Sequence, residues 1–124
     1  IIPALKSKMV VICDRFIDST YAYQVHGKKV NKDLIDKIHR VIIGKYKPNL
    51  TIVLKVTTKS SRQRIKKRRL KNRYDKFSDS FYKSVQKSFL MRAKGQKNYV
   101  IFESSKNTPK LEKDILNLVL KILR

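Results

Sequence analysis

Apolar positions recur along this chain with two spacings, and the spacing changes several times. Val10 to Cys13 form a short unbroken apolar run, the pattern of a strand buried on both faces, and a strand is expected over 9–13. Residues 1–8 read as the end of a helix and a turn. Residues 18–25 are compatible with a short helix, in which Ser19 and Tyr23, and Thr20 and Gln24, lie four apart and share a face. His26 to Lys29 read as a turn. Asn31 suits an N-cap with Asp33 in the first turn, and Leu34, Ile35, Ile38, Val41 and Ile42 mark an amphipathic helix ending near Gly44 and before Pro48.

Thr51 to Val56 read as a second buried strand, with Lys55 placed near its carboxyl end. Beyond the basic stretch 59–73, Ser78 to Lys83 begin another helix, whose Phe77, Phe81, Val85 and Phe89 repeat every four positions and predict a core face. Gly95 ends it. Tyr99 to Phe102 give a third strand. Thr108 followed by Pro109 makes a helix start, and Leu111, Ile115, Leu118, Val119 and Ile122 carry the apolar face of the last helix. Strands alternating with helices predict parallel strands joined by helical crossovers. With 124 residues the chain makes one domain, and no internal repeat or linker divides it.

Composition changes this picture in one respect. With 31 Lys and Arg against 9 Asp and Glu the formal net charge is +22, which attracts polyanions such as nucleic acid, anionic membrane or phosphorylated small molecules, although scattered Lys also describes an ordinary solvated surface. The hydrophobic content of 41% is sufficient for a core. Cys13, the single cysteine, has no internal disulfide partner, is expected to be a small buried hydrophobe and suits a reducing cytoplasm. No apolar run approaches the roughly 18 residues of a membrane span, and the start of the chain lacks the basic lead and apolar stretch of a signal peptide.

The candidate chemistry gathers after the first expected strand. In open α/β sheets ligands bind beyond the carboxyl ends of strands, and there the chain places Asp14 and Arg15. An isolated Asp-Arg pair also describes a structural salt bridge. In this setting, however, an Arg fork suits a phosphate and an adjacent Asp suits the water shell of Mg²⁺. Ser19, Thr20, Tyr23 and Gln24 add hydroxyls, a ring and an amide of the kind a base and sugar require. His26 has no accompanying ligand cluster and reads as a surface histidine. The run from Lys59 to Arg73 has two readings: a patch neutralising nucleic-acid phosphates, or arginines stabilising a transferring phosphoryl group.

Three blocks together resemble the thymidylate kinase family. They are Pro3-Ala-Leu with Val11-Ile-Cys-Asp-Arg-Phe-Ile-Asp-Ser-Thr-Tyr-Ala-Tyr-Gln, then Pro48-Asn-Leu-Thr-Ile-Val-Leu-Lys-Val-Thr, then the Arg-rich run into Asn72-Arg73-Tyr74-Asp75 with Phe81-Tyr82 and Val85. The resemblance implies an α/β fold of the P-loop NTPase, nucleoside monophosphate kinase type, a parallel sheet with flanking helices. It also implies transfer of the γ-phosphate of ATP to dTMP with Mg²⁺, in the cytoplasm, by a homodimer.

Carried over to this sequence, Arg15 would hold the dTMP phosphate, and Asp14 would serve the phosphate and, through water, the metal. Thr20 and Gln24 would sit by the thymine edge, Tyr23 against the deoxyribose, and Ser19 would support the loop. Residues 58–73 would be a lid, with Arg64 and Arg68 its phosphate contacts and Arg73 and Asp75 at its base. The chain departs from the family in having no Gly-x-x-x-x-Gly-Lys-Ser/Thr. Residues 1–124 are therefore expected to form one partial kinase domain without the first two strands of the sheet, exposing strand edges and inactive alone. Asn49, Lys55 and Asn72 stand where the family usually has acids. A basic nucleic-acid-binding protein and a gene remnant without function are the rival readings.

Overall fold

In a computed structural model of the chain, residues 1–67 and 77–123 are described. Helix α1 (Ile2–Lys6) is followed by an irregular segment and by helix α2 (Ile17–Thr20), which runs directly into a π-helix (Tyr21–Gly27). Helix α3 (Lys32–Ile43), strand β1 (Thr51–Lys55), helices α4 (Thr58–Lys67) and α5 (Asp79–Ala93), strand β2 (Tyr99–Glu103) and helix α6 (Pro109–Leu123) complete the order.

Four of the helix starts are closed by the side chain that precedes them. The Asn31 side chain accepts from the Leu34 N–H at 3.0 Å, Thr57 from Ser60 at 3.2 Å, Ser78 from Phe81 at 3.3 Å and Thr108 from Leu111 at 3.2 Å. Each satisfies an N–H that has no partner within its helix, an arrangement worth about 1 kcal/mol.

Strands β1 and β2 pair in parallel, in register from Thr51 opposite Tyr99 to Lys55 opposite Glu103. The expected alternation is therefore present, with α4 and α5 lying between the two strands in the chain. Lys55 is the last residue of β1 and meets Glu103 at 3.9 Å, so its charge sits at the wet end of the strand. Just beyond, buried Ser104 donates its N–H (2.7 Å) and its hydroxyl (3.1 Å) to the Lys55 carbonyl.

The core lies between α5 and the π-helix. Ala22, fully buried, meets Phe81 and Val85, with Tyr23, Phe77 and Phe89 packed around them. Phe77 stacks on Phe81 at 4.2 Å between ring centroids. This is the four-residue aromatic spacing of α5 acting as core. Gly27 closes the π-helix directly against the same ring, and the Ser84 hydroxyl donates to the His26 carbonyl at 3.0 Å.

Two expectations are corrected. Residues 9–13 form no strand: the described residues make a two-stranded sheet of β1 and β2 only, and Met9, Val10 and Ile12 are exposed, Ile12 to 89%. A strand exists only with a ladder partner to take its N–H and C=O groups, and none of the described strands lies beside this segment. Cys13, expected to be buried within that strand, is exposed for the same reason. The apolar faces of α3 and α6 are likewise less covered than their patterns predict. Only Ile35 of α3 is buried, and no residue of α6 is. Among the described residues no helix is long and apolar enough to cross a membrane.

A β-carbon at Gly27 would stand 2.6 Å from Phe81 Cε2 and 3.3 Å from the Ala22 carbonyl oxygen. Gly27→Ala is expected to cost about 1–3 kcal/mol through overpacking, read as a lower urea midpoint; an unchanged midpoint would contradict this packing of the π-helix on α5.

Candidate functional site

The residues that follow Asp14 form one pocket. Arg15, Ser19, Thr20, Tyr23 and Gln24 line an open cavity of about 180 Å³. Complete ligand sites usually measure roughly 300–1,000 Å³, so the cavity is smaller than a complete site. Arg15 enters it from the bend before α2, Ser19 and Thr20 from α2, and Tyr23 and Gln24 from the π-helix.

Local conformation explains how so short a stretch makes a concave surface. The Lys28 N–H bonds the Tyr23 carbonyl, five residues back, at 3.0 Å, and this wider turn is the signature of a π-helix. The turn sends Ala22 into the core while its neighbours Tyr23 and Gln24 line the pocket. The Tyr23 ring is fixed from behind by Phe81 at 6.1 Å and Phe89 at 6.5 Å between centroids. The Arg15 guanidinium carbon lies 5.3 Å from the same ring's centroid, within cation–π range.

Arg15 itself has φ +68°. A side chain in the left-handed region costs on the order of 1–3 kcal/mol and gathers at functional positions. Here that conformation accompanies a cation delivered to the pocket wall, and the Cys13 thiol donates to the Arg15 carbonyl at 3.3 Å. Chemically the pocket offers a planar fork of donors that fits a phosphate or carboxylate, two hydroxyls, an amide that both donates and accepts, and an aromatic face.

Behind the pocket lies a polar cluster that the sequence pattern did not single out. Asp18, of α2, is buried, accepts from Arg92 Nε of α5, and accepts from the Tyr99 hydroxyl of β2 at 2.9 Å. The Arg92 guanidinium carbon also lies 3.9 Å from the centroid of the Tyr21 ring. The Tyr21 hydroxyl donates to Asp36 of α3, which pairs in turn with Lys32 at 2.5 Å. Burial, and then the adjacent Asp36, push the Tyr21 hydroxyl above its ordinary pKa; burial and then Asp18 do the same to Tyr99. One signal in the sequence pointed here: Asp18 stands four residues before Ala22, on the helical face that enters the core. Its partners are 74 and 81 positions away, which no local pattern reveals.

The other expected site residues are placed as follows. Asp14 is exposed beside Arg15 and does not line the pocket. Arg64, on α4, is not in the pocket wall either: its Nη2 donates to the carbonyls of Ser104 (2.6 Å) and Ser105 (3.4 Å), past the carboxyl end of β2. Arg68, Arg73 and Asp75 lie outside the described residues. Among the described residues no three His, Cys, Asp or Glu side chains group to hold a metal ion.

A family model described as thymidylate kinase matches residues 1–115. The thymidylate kinase of Aster yellows witches'-broom phytoplasma is 38% identical over 115 residues, which cover 90% of this chain and 55% of that protein. That of Wolbachia pipientis from Culex pipiens is 35% identical over 124 residues, covering 98% of this chain and 58% of the relative. Among solved structures, thymidylate kinase from Ehrlichia chaffeensis superposes with a TM-score of 0.66 at 26% identity, over 98% of this chain and 55% of that one. The chain thus spans about half the length of the relatives it matches.

Two outcomes test the cluster behind the pocket. Arg92→Met leaves the Asp18 carboxylate buried without its cation and is expected to cost about 3 kcal/mol in urea unfolding; a loss below about 0.5 kcal/mol, the size of an ordinary surface change, would contradict the pairing. The raised Tyr99 hydroxyl sets the second. Folded chain holds that proton more tightly than unfolded chain, so its contribution is complete below the ordinary value of 10.0 and is lost as pH rises through the folded-state value. The melting temperature of the native chain should therefore fall more between pH 9 and 11 than that of Tyr99→Phe, and equal falls would refute it.

Proposed function

The chain belongs to the thymidylate kinase family, and from that premise we propose that the Arg15 pocket is the acceptor-nucleotide side of a dTMP kinase site. The observation that carries this is the pocket wall itself: Arg15, Ser19, Thr20, Tyr23 and Gln24 form one surface with the donors and ring that a deoxynucleoside monophosphate requires.

In this reading the Arg15 fork takes two oxygens of the dTMP phosphate. Tyr23, backed by Phe81 and Phe89, packs against the deoxyribose and leaves no room for a 2′-hydroxyl. Thr20 and Gln24 hydrogen-bond the thymine edge, and Ser19 supports the turn that carries them. An oxygen of the bound dTMP phosphate attacks the γ-phosphorus of ATP, the bond from that phosphorus to the bridging oxygen breaks, and ADP leaves. Arg64 and Arg68 spread the charge of the transferring group, which requires Arg64 to leave the Ser104 carbonyl for the nucleotide. Arg73 and Asp75, to which the family resemblance gives a place at the base of that lid (residues 58–73), lie outside the described residues.

Among the described residues, the exposed carboxylate next to Arg15 that could serve a metal is Asp14. That fits a Mg²⁺ ion that arrives on nucleotide phosphates and keeps most of its waters. Bound there, Mg²⁺ would neutralise phosphate charge during transfer.

The 124 residues carry no Gly-x-x-x-x-Gly-Lys-Ser/Thr to cradle the ATP phosphates. They therefore supply acceptor recognition, and by themselves are proposed to bind dTMP without converting it. Assembly as a homodimer and a cytoplasmic setting follow from the family and are proposed on that basis. Contact with nucleic acid is proposed only as non-specific attraction to the +22 charge, weakening steeply with salt.

Calorimetric titration is expected to show dTMP binding to the chain, with Arg15→Ala weakening it about 10- to 100-fold, the value of a hydrogen-bonded charge pair, and leaving the weaker binding of thymidine unchanged. Equal affinity of native chain and Arg15→Ala for dTMP would overturn the assignment. Formation of dTDP from ATP and dTMP by the 124 residues would overturn the proposed inactivity.

A further inference from the structure

Four of the five pocket residues come from two consecutive short elements, α2 with four residues and the π-helix with seven. Isolated helices below about 12–15 residues do not hold their shape in water. No side-chain hydrogen bond caps the start of α2 or of the π-helix. Something outside these elements must fix their orientation. The π-helix is held by Ala22 on Phe81 and Val85, by the Ser84 hydroxyl on the His26 carbonyl and by the Tyr21 hydroxyl on Asp36. For α2 the polar tie is Asp18, immediately before Ser19 and Thr20.

An apolar contact leaves rotation about the helix axis soft. A carboxylate bonded on both oxygens does not. Asp18 Oδ1 accepts from Arg92 and Oδ2 from the Tyr99 hydroxyl, one partner on α5 and the other on β2. Arg92 is held in turn over the Tyr21 ring, so the same guanidinium touches both ends of the junction between α2 and the π-helix.

We propose that Asp18 is the positioning residue of the acceptor pocket: through Arg92 and Tyr99 it sets the rotation of α2, and with it the reach of Ser19, Thr20, Tyr23 and Gln24 toward the nucleotide. Asp18 does not line the pocket. Its effect on nucleotide binding rests on the acceptor reading above, whereas its effect on the geometry of the turn does not.

The test uses the 124-residue chain and the gentle variant Tyr99→Phe, which removes one hydroxyl and keeps Arg92. Val53→Ala, in a buried position of β1 outside this cluster, serves as a control that loses stability without touching the carboxylate. Amide hydrogen exchange is followed by NMR at residues 19–24, alongside dTMP titration. In Tyr99→Phe the exchange of these amides is expected to rise about tenfold, the equivalent of one lost hydrogen bond, more than at Phe81 to Phe89 of α5, with dTMP affinity falling several-fold. In Val53→Ala any rise should be uniform over the chain.

Exchange at 19–24 that rises no more than in α5, or as much in Val53→Ala as in Tyr99→Phe, would overturn the positioning role. If native chain fails to bind dTMP, the acceptor reading falls, and the exchange pattern still decides the role of Asp18. Asp18→Asn, which keeps the volume and one acceptor oxygen, should reproduce the Tyr99→Phe pattern.

Discussion

A buried carboxylate with two partners from distant parts of the chain is the constraint on which this small fold depends. Asp18 joins α2 to α5 through Arg92 and to β2 through Tyr99. Burying a charge without partners is costly, and a pair broken on one side costs about 3–5 kcal/mol. The sequence therefore commits three elements to one arrangement as soon as Asp18 goes inside. Tyr21 extends the tie to α3 through Asp36. The apolar core of Ala22, Phe81 and Val85 supplies the adhesion, and the carboxylate supplies the direction.

That division explains why a pocket exists although the described residues hold a sheet of two strands. The π-helix gives up regular packing to turn Ala22 inward while Tyr23 and Gln24 line the pocket, and Arg15 takes a left-handed conformation beside them. Lys8 (φ +58°) and Lys29 (φ +62°) share the left-handed conformation of Arg15, so it is not confined to the pocket. The charge of +22 adds a general attraction to anions, and in the proposed reading Arg15 gives that attraction a place beside the groups that would meet the rest of a nucleotide.

Much of this was legible in the sequence, and the successes share one cause. Helix α5 could be read from Ser78 as cap and from the spacing of Phe77, Phe81, Val85 and Phe89, because both signals are local. The starts of α3 at Asn31 and of α6 at Thr108, and strands β1 and β2, were legible for the same reason. The pocket residues could be named from Arg15, Ser19, Thr20, Tyr23 and Gln24 at their spacing and from the family resemblance, and those five residues form one surface. What failed was non-local. Val10 to Cys13 have the pattern of a buried strand, but a pattern does not supply a neighbouring strand, and Ile12 stands in solvent. The apolar stripes of α3 and α6 predicted which side of each helix seeks cover without saying what covers it. Asp18 looked like one polar residue among several, because Arg92 and Tyr99 lie far along the chain.

The central claim is that the pocket beside Arg15 recognises a deoxynucleoside monophosphate by its phosphate, its sugar and its base together. NMR titration of isotope-labelled chain with dTMP at moderate salt tests it most directly. The account predicts saturable shifts at the Arg15 side chain and at Ser19, Thr20, Tyr23 and Gln24, with inorganic phosphate moving Arg15 alone. Shifts spread over the lysines and arginines of α4 and the rest of the surface, equal for dTMP and phosphate and abolished by salt, would contradict it and leave only the attraction of a basic surface for anions.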